Sequence, residues 1–423
     1  MAEFTGFVPR ASRPLDLVVF GATGFVGRLL CEELAQAQVV GRPLRWAIAG
    51  RSPARLEALR AALAVPQLPY RVVEATDNAA LTALCREARL IVSTVGPYVL
   101  RGEPLVAACA ASGTDYADLT GEVHWIRRMI ERHEPAARAS GARLLHCCGF
   151  DSIPSDLGVL YLQREAQRRL GMSCARIAMR VRTLRGGVSG GTVASLLNVV
   201  REAAADPALR RILVDPYSLC PPEAPDVAAA RPRQPRTRGA RYDAEFGCWT
   251  SPFVMSAINV PVVLRSHALL GQPWGGCFTY DEAIATGSGL KGRLRAVSLA
   301  AGLAAFTAAA ALAPTRALLE RFLLPAPGEG PDAEARRRGG FELRFMGATT
   351  DGQHLAARVR GDRDPGYGST ARMLAQAAIC LAEPVDDDAR RGGSWTPASL
   401  LGQALIDRLQ AHAGVSFEWV AVR

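Results

Sequence analysis

The sequence predicts an α/β protein, a doubly wound parallel sheet joined to a second, mixed α/β domain. Three observations carry that expectation. From Asp16 to Phe150 short apolar runs alternate with helical ones, the rhythm of strand–helix–strand units on a parallel sheet. A glycine-rich turn, Gly21-Ala22-Thr23-Gly24-Phe25-Val26-Gly27, lies directly between the first apolar strand and the first amphipathic run. Beyond Asp151 the rhythm changes and hairpin-like pairs appear. At 423 residues the chain exceeds one ordinary domain of about 100–200 residues. The expected divisions are 1–150, 151–370 for substrate binding and dimerisation, and 371–423, whose helices are expected to pack back on the first domain.

In the first domain strands are expected at Leu17–Phe20, Arg45–Ala49, Arg71–Glu74, Leu90–Thr94, Asp115–Asp118 and Arg143–Cys147. Helices fall between them at Phe25–Gln36, Pro53–Ala64, Ala79–Glu87, Pro104–Ser112 and Val123–Ser140. Six strands in that order suit a Rossmann sheet. The second domain opens with a helix at Ser155–Leu170, a strand at Arg176–Thr183, a glycine-rich turn at Gly186–Gly191 and a helix at Thr192–Ala204. Arg231-Pro-Arg-Gln-Pro-Arg-Thr-Arg reads as an exposed loop, because prolines and like charges oppose regular structure. Phe341–Thr350 and His354–Arg360 form a hairpin turning at Asp351-Gly352. Helices at Thr370–Ala382 and Pro397–Ala411 close the chain.

Composition narrows the function. Hydrophobic residues at 49% and charged residues at 21% describe a globular chain. The net charge of +10 is an arginine charge, since Lys291 is the single lysine against 49 arginines. Lysine catalysis therefore has one candidate, in a solvated stretch, and no nucleic-acid partner is indicated. The basic excess suits a nucleotide phosphate, an acidic acyl carrier or an anionic membrane face, and equally plain solubility. Ten cysteines without Cys-x-x-Cys or zinc spacing indicate neither a disulfide framework nor a metal site. With no apolar signal core between Met1 and Leu15, a cytoplasmic location is expected.

The glycine turn points to a dinucleotide. Gly21 allows a tight turn, Gly24 a close approach of backbone to pyrophosphate, and Gly27 the packing of helix on sheet, while the helix N-terminus offers amides to the phosphates. Thr23, Phe25 and Val26 complete that cradle. At the end of the second strand, Ile48-Ala49-Gly50-Arg51-Ser52 carries no carboxylate for a ribose 2′-hydroxyl. Arg51 can pair the 2′-phosphate of NADP(H), with Ser52 as a second donor, although Ser52-Pro53 is also a helix cap. Asp77 sits where such folds contact adenine. Thr94, Val95, Gly96 and Pro97 end the fourth strand, where the nicotinamide half lies.

For the reaction, a hydride donor requires alignment and at most one proton donor. No Tyr-x-x-x-Lys pair precedes Lys291, because residue 287 is glycine. Tyr98, Asp118, Glu122 and Asp151 fall at carboxyl ends of expected strands, with Tyr98, Asp151 and Glu122 as the catalytic candidates; each can also cap or pack. His124 reads as a solvent-facing helix residue and His146 as core. From Ala296 to Thr315 the chain carries no charge. That stretch is long enough to span a bilayer, but its alanine content and Pro314 favour a buried helix or an interfacial anchor.

The motifs GATGFVG (Gly21–Gly27), AGRS (Ala49–Ser52), STVGPY (Ser93–Tyr98), YADLTGE (Tyr116–Glu122), CGFDSIPSDLG (Cys148–Gly158), SGGTVAS (Ser189–Ser195) and WTPASLLG (Trp395–Gly402) together resemble the saccharopine dehydrogenase-like oxidoreductases, in their trans-acting enoyl reductase branch. The resemblance implies a Rossmann domain plus an α/β domain, NADP(H) as cofactor, and an association with lipid metabolism or membranes. It does not imply saccharopine, because the segment Gly149–Asp156 departs from the composition of true saccharopine reductases. An enoyl double bond in a fatty-acyl or polyketide thioester, on an acyl carrier, is the substrate expected. Reduction of an imine or keto group on a small amino or keto acid stays open, as does a non-catalytic NADPH-binding scaffold held peripherally at membranes. A homodimer is expected.

Overall fold

A computed structural model of the chain describes residues 9–40, 44–186, 190–223, 230–323, 330–383 and 391–421. It divides into two units, the first formed by residues 1–149, 325–330 and 370–397, the second by 150–324, 331–369 and 398–423.

The first unit is built on a seven-stranded parallel sheet. Its strands are β1 (Leu15–Phe20), β2 (Trp46–Gly50), β3 (Tyr70–Val72), β4 (Ala88–Ser93), β5 (Asp115–Asp118), β6 (Arg143–Leu145) and, from far along the chain, β13 (Gly393–Trp395). They lie in the order β13-β6-β5-β4-β1-β2-β3. β1 and β2 are buried at every position, as expected of central parallel strands covered on both faces. Between the strands run α1 (Phe25–Val40), α2 (Pro53–Ala62), α3 (Asn78–Glu87), α4 (Tyr98–Arg101), α5 (Glu103–Ser112) and α6 (Val123–Ser140). A late helix, α14 (Thr370–Ala382), packs on α1 and on β1, β4 and β5, and is buried around nearly its whole circumference. His124 belongs to the inner face of α6 and is buried, correcting its reading as a solvent-facing residue; the apolar neighbours Val123, Trp125 and Ile126 draw that first turn inward.

The second unit holds a mixed sheet in the order β14-β12-β11-β7-β10-β9-β8. Its strands are β7 (Arg176–Arg185), β8 (Arg241–Asp243), β9 (Cys248–Pro252), β10 (Thr279–Gly287), β11 (Gly340–Ala348), β12 (His354–Gly361) and β14 (Val415–Val420). Only the β7–β10 pair is parallel, and the β11–β12 hairpin turns at Asp351-Gly352. The helices are α7 (Ile153–Leu170), α8 (Gly190–Ala205), α9 (Pro207–Val214), α10 (Ser256–Leu269), α11 (Gly289–Ala311), α12 (Ala313–Leu323), α13 (Ala333–Arg338), α15 (Pro397–Leu400) and α16 (Gly402–His412). Residues 187–189 of the glycine-rich turn lie outside the described residues.

Two differences from expectation have physical causes. The tail divides between the units instead of packing wholly on the first. Residues 370–397 join the first unit, whereas Val415 and Phe417 alternate inward on β14, which pairs with β12 in the second. The apolar stretch at 296–315 is not a buried helix: only 11% of α11's apolar length is buried.

Candidate cofactor and reaction site

The parallel sheet reverses its winding between β1 and β4, since β2 and β3 lie to one side of β1 and β4, β5 and β6 to the other. Open α/β sheets bind ligands at that switch point, outside the carboxyl ends of the strands. The glycine turn stands there. Gly21 has φ +86°, and a Cβ on it would meet Val95 Cγ2 at 2.6 Å and Thr94 Oγ1 at 2.9 Å. A Cβ on Gly27 would approach the Gly21 carbonyl oxygen to 2.3 Å. The turn is therefore closed so tightly that only glycine fits, and Thr94 fastens it to β4: its backbone N–H donates to the Phe20 carbonyl (2.9 Å) and its hydroxyl to the Gly21 carbonyl (3.1 Å). Gly24 is exposed at the head of α1, where first-turn amides precede the intrahelical ladder and carry the positive end of the helix dipole. Thr23, Phe25 and Val26 line the same turn, and the backbone of Val95 is bonded to Ser93 Oγ at 3.4 Å. Gly96 and Pro97 continue from β4 into α4.

At the end of β2, Arg51 is exposed with no hydrogen-bond or ion-pair partner among the described residues. Its guanidinium is thus available to an anion. Ser52 caps α2, its hydroxyl accepting from the Arg55 N–H at 3.4 Å, followed by Pro53. Asp77, beyond β3, caps α3 by accepting from the Ala80 N–H at 3.0 Å. Both capping roles leave these side chains partly exposed at the strand ends.

The polar residues beyond β4, β5 and β6 form a buried network. Tyr98 is 5% exposed. Its hydroxyl donates to the Ser93 carbonyl at 2.9 Å, and burial, reinforced by Asp118, pushes its pKa well above the ordinary phenol value. Glu122, 1% exposed, accepts from the backbone N–H groups of Tyr98 (3.2 Å) and Val99 (2.8 Å), holding the first turn of α4. Asp118 faces His146, Oδ2 to Nδ1 at 2.7 Å, and its Oδ1 accepts from the N–H groups of Thr120 and Cys147. Trp125 lies edge-on to His146 at 5.3 Å and against Tyr98 at 5.4 Å. Tyr98 and Glu122, expected as catalytic groups, are brought together here with their polar atoms committed to backbone. The geometry gives them the role of shaping the β4 end.

Asp151 belongs to the second unit, just ahead of α7. It is half-buried with no partner among the described residues, and burial raises its carboxyl to about 6. Behind it lies a second polar network. Ser152 Oγ donates to Asn259 Oδ1 (3.2 Å), while Asn259 Nδ2 donates to Ser155 Oγ (3.2 Å) and to Glu282 (2.9 Å). Tyr280 donates its hydroxyl to the other Glu282 oxygen at 2.6 Å. Asp156 accepts from Ser266 Oγ at 2.5 Å and from the Ala398 N–H at 2.8 Å. Burial pushes both Asp156 and Glu282 up to about 7.

Comparison with known proteins agrees with this architecture. Residues 17–145 match the family model of the saccharopine dehydrogenase NADP binding domain. The solved saccharopine dehydrogenase (L-Glu forming) of Saccharomyces cerevisiae superposes with a TM-score of 0.55 at 11% identity, covering 96% of this chain and 99% of that one, a likeness of fold. The trans-acting enoyl reductase of Mycobacterium bovis is 37% identical over 422 residues, covering 96% of this chain and 97% of that protein, and that of Mycobacterium leprae is 37% identical over 415 residues, covering 95% and 97%. A Mycobacterium tuberculosis protein assigned to the same group is 42% identical over 414 residues, covering 96% and 97%. The chain belongs to the trans-acting enoyl reductase family. Its first unit is an NADP-binding Rossmann domain, and the chain is an NADP-dependent oxidoreductase.

Within this trans-acting enoyl reductase family member, the residues that sequence reasoning missed are partners rather than motif positions. The sequence places His146 in the core without its carboxylate, and Asn259 and Glu282 belong to no motif. The one available signal was placement: Asp118 and His146 end adjacent strands at matching depth.

Proposed function

We propose that the chain reduces the enoyl double bond of a fatty-acyl or polyketide-type thioester, presented on an acyl carrier, with NADPH in the cytoplasm. What supports the reading is an anion cradle at the switch point with an unpaired Arg51 beside it, in a chain of the trans-acting enoyl reductase family. Gly21, Gly24, Gly27 and the head of α1 fit a pyrophosphate, and Arg51 fits a 2′-phosphate. NADPH held there would supply hydride chemistry at the β-carbon of a conjugated double bond, and the α-carbon would then need a proton. Tyr98 and Glu122 have no free polar atom to offer that proton in the observed arrangement. Asp151, raised to about 6, retains a protonated fraction near neutrality and is the donor we assign.

The experiment is NADPH oxidation across 2-enoyl thioesters, keto acids, and keto acids with amines. Turnover with the enoyl thioesters is expected. Oxidation confined to keto acids with amines would make the enzyme an imine reductase, and tight NADPH binding without turnover on any acceptor would make it a scaffold. Asp151→Asn is expected to lower turnover about 100-fold with NADPH affinity unchanged. Unaltered turnover would transfer the proton to water.

A further inference from the structure

α11 is the least covered long helix among the described residues, and its pattern of cover is informative. At 23 residues it extends about 35 Å, enough to cross a bilayer. Yet the side facing its own unit is held at both ends. Gly292 is buried near the start, where a Cβ would come 2.1 Å from the Gly287 carbonyl oxygen, and the Thr286 hydroxyl donates to the Gly292 carbonyl at 2.8 Å. Ala296 and, about four turns later, Ala310 are fully buried. Just beyond Ala310, Thr315 Oγ1 donates to the Ala309 carbonyl (2.5 Å) and Arg316 to the Ala310 carbonyl (3.3 Å), closing the turn into α12. A helix anchored to its own unit near both ends, and packed there on β9, β10 and α8, lies on that unit and does not thread a bilayer.

The opposite side is an apolar stripe at helical spacing. Leu290 (70% exposed), Leu294 (58%) and Val297 (49%) lead into exposed Ala301, Ala304, Ala305 and Ala308, followed by Leu312 (62%) at the end of α11 and Leu318 (61%) on α12. Exposed apolar surface on this scale marks a place where something else excludes water. Charge says what. No acidic residue occurs between Glu282 and Glu320, while Lys291, Arg293 and Arg295 flank the first turns and Arg316 and Arg321 follow the end. Next to the first turns, Arg293 lies 5.4 Å over the Trp249 ring, which meets half-exposed Tyr242 edge-on at 5.8 Å. An apolar stripe bordered by cations, with an aromatic pair at one end, fits the headgroup boundary of an anionic bilayer. It does not fit a second copy: cations stand at both ends of the helix, so parallel and antiparallel pairing alike set cation against cation.

We propose that α11 and α12 dock the protein in the plane of an anionic lipid surface, with the Leu290–Leu294–Val297 face against the acyl boundary and the flanking lysine and arginines on lipid phosphates. The alanine-rich stripe contributes limited apolar area, so attachment depends on charge and is reversible.

Sedimentation of the full chain with vesicles tests this, using phosphatidylcholine alone and with one part in four phosphatidylglycerol. Binding is expected to the mixed vesicles and little to the pure ones. Leu294→Asp with Val297→Asp, or in a second protein Lys291→Gln with Arg295→Gln, is expected to weaken it about tenfold, as is high salt. All four positions are exposed, and thermal melting checks that each variant is folded. Absence of binding by folded protein, equal binding to both vesicles, resistance to alkaline extraction, or a Leu294-dependent dimer in place of vesicle binding would each overturn the proposal. Turnover on a water-soluble enoyl thioester is read separately and is expected to be unchanged in these variants, so failure here leaves the reductase reading untouched.

Discussion

Arg51 projects from the end of β2 with no carboxylate beside it, so a 2′-phosphate meets an uncompensated guanidinium. Arg51→Asp is expected to weaken NADPH binding about 100-fold while changing NADH binding far less, as read by nucleotide titration. Equal affinity of the variant for NADPH would remove Arg51 from the site. Tyr98 makes a contrasting case. Because its hydroxyl donates to the buried Ser93 carbonyl, Tyr98→Phe leaves an acceptor unsatisfied and is expected to cost about 1–2 kcal/mol of stability with turnover changed little. A large fall in turnover at unchanged melting temperature would restore Tyr98 as a proton donor. The glycines and Arg51 were legible because a turn and the first residues after a strand are local features of the chain. The commitments of Tyr98 and Glu122 were not: Tyr98 turns its hydroxyl back on the Ser93 carbonyl, and Glu122 reaches backbone groups 24 and 23 residues away, which no spacing rule connects.

Among the elements, the glycine turn and α1 act as one device. Gly27→Ala would place a methyl carbon 2.3 Å from the Gly21 carbonyl oxygen, a backbone atom held by Thr94. The turn must open, and the expected outcome is loss of NADPH binding together with a lower melting temperature. Normal affinity would mean that the turn is not the phosphate cradle. β5 was readable to the residue and α6 likewise, because strand and helix alternate regularly along the first sheet. β8, β9 and β10 escaped notice. Their interior carries charge: Arg180 lies between Asp243 (2.7 Å) and Asp281 (2.8 Å), and Glu282 is buried beside Tyr280 and Asn259. Paired charges satisfy one another inside the sheet, yet they erase the apolar alternation by which a strand is recognised.

For the molecule as a whole, three carboxyls, those of buried Asp156 and Glu282 and of half-buried Asp151, set a pH dependence of stability. Asp156 and Glu282 are raised to about 7 and Asp151 to about 6. Between the unfolded value of about 4 and these folded values the native state keeps protons that the unfolded chain releases, so stability falls as pH rises, by up to ~1.4 kcal/mol per group per unit. Melting temperature is expected to drop from about pH 5 to about pH 7 and then level off, and Glu282→Gln, which cannot ionise, is expected to flatten part of that slope. A melting temperature that rises through this range would refute the assignment. The connectivity has a further consequence, for the order of events during synthesis. The parallel sheet of the first unit receives its last strand and its α14 cover from residues 370–397, well over two hundred positions after β6. At about 5–20 residues per second of translation, the nascent sheet stands with part of one face, over β4 and β5, uncovered for roughly 10–45 seconds. That interval is long enough for a holding chaperone to decide the yield of active protein.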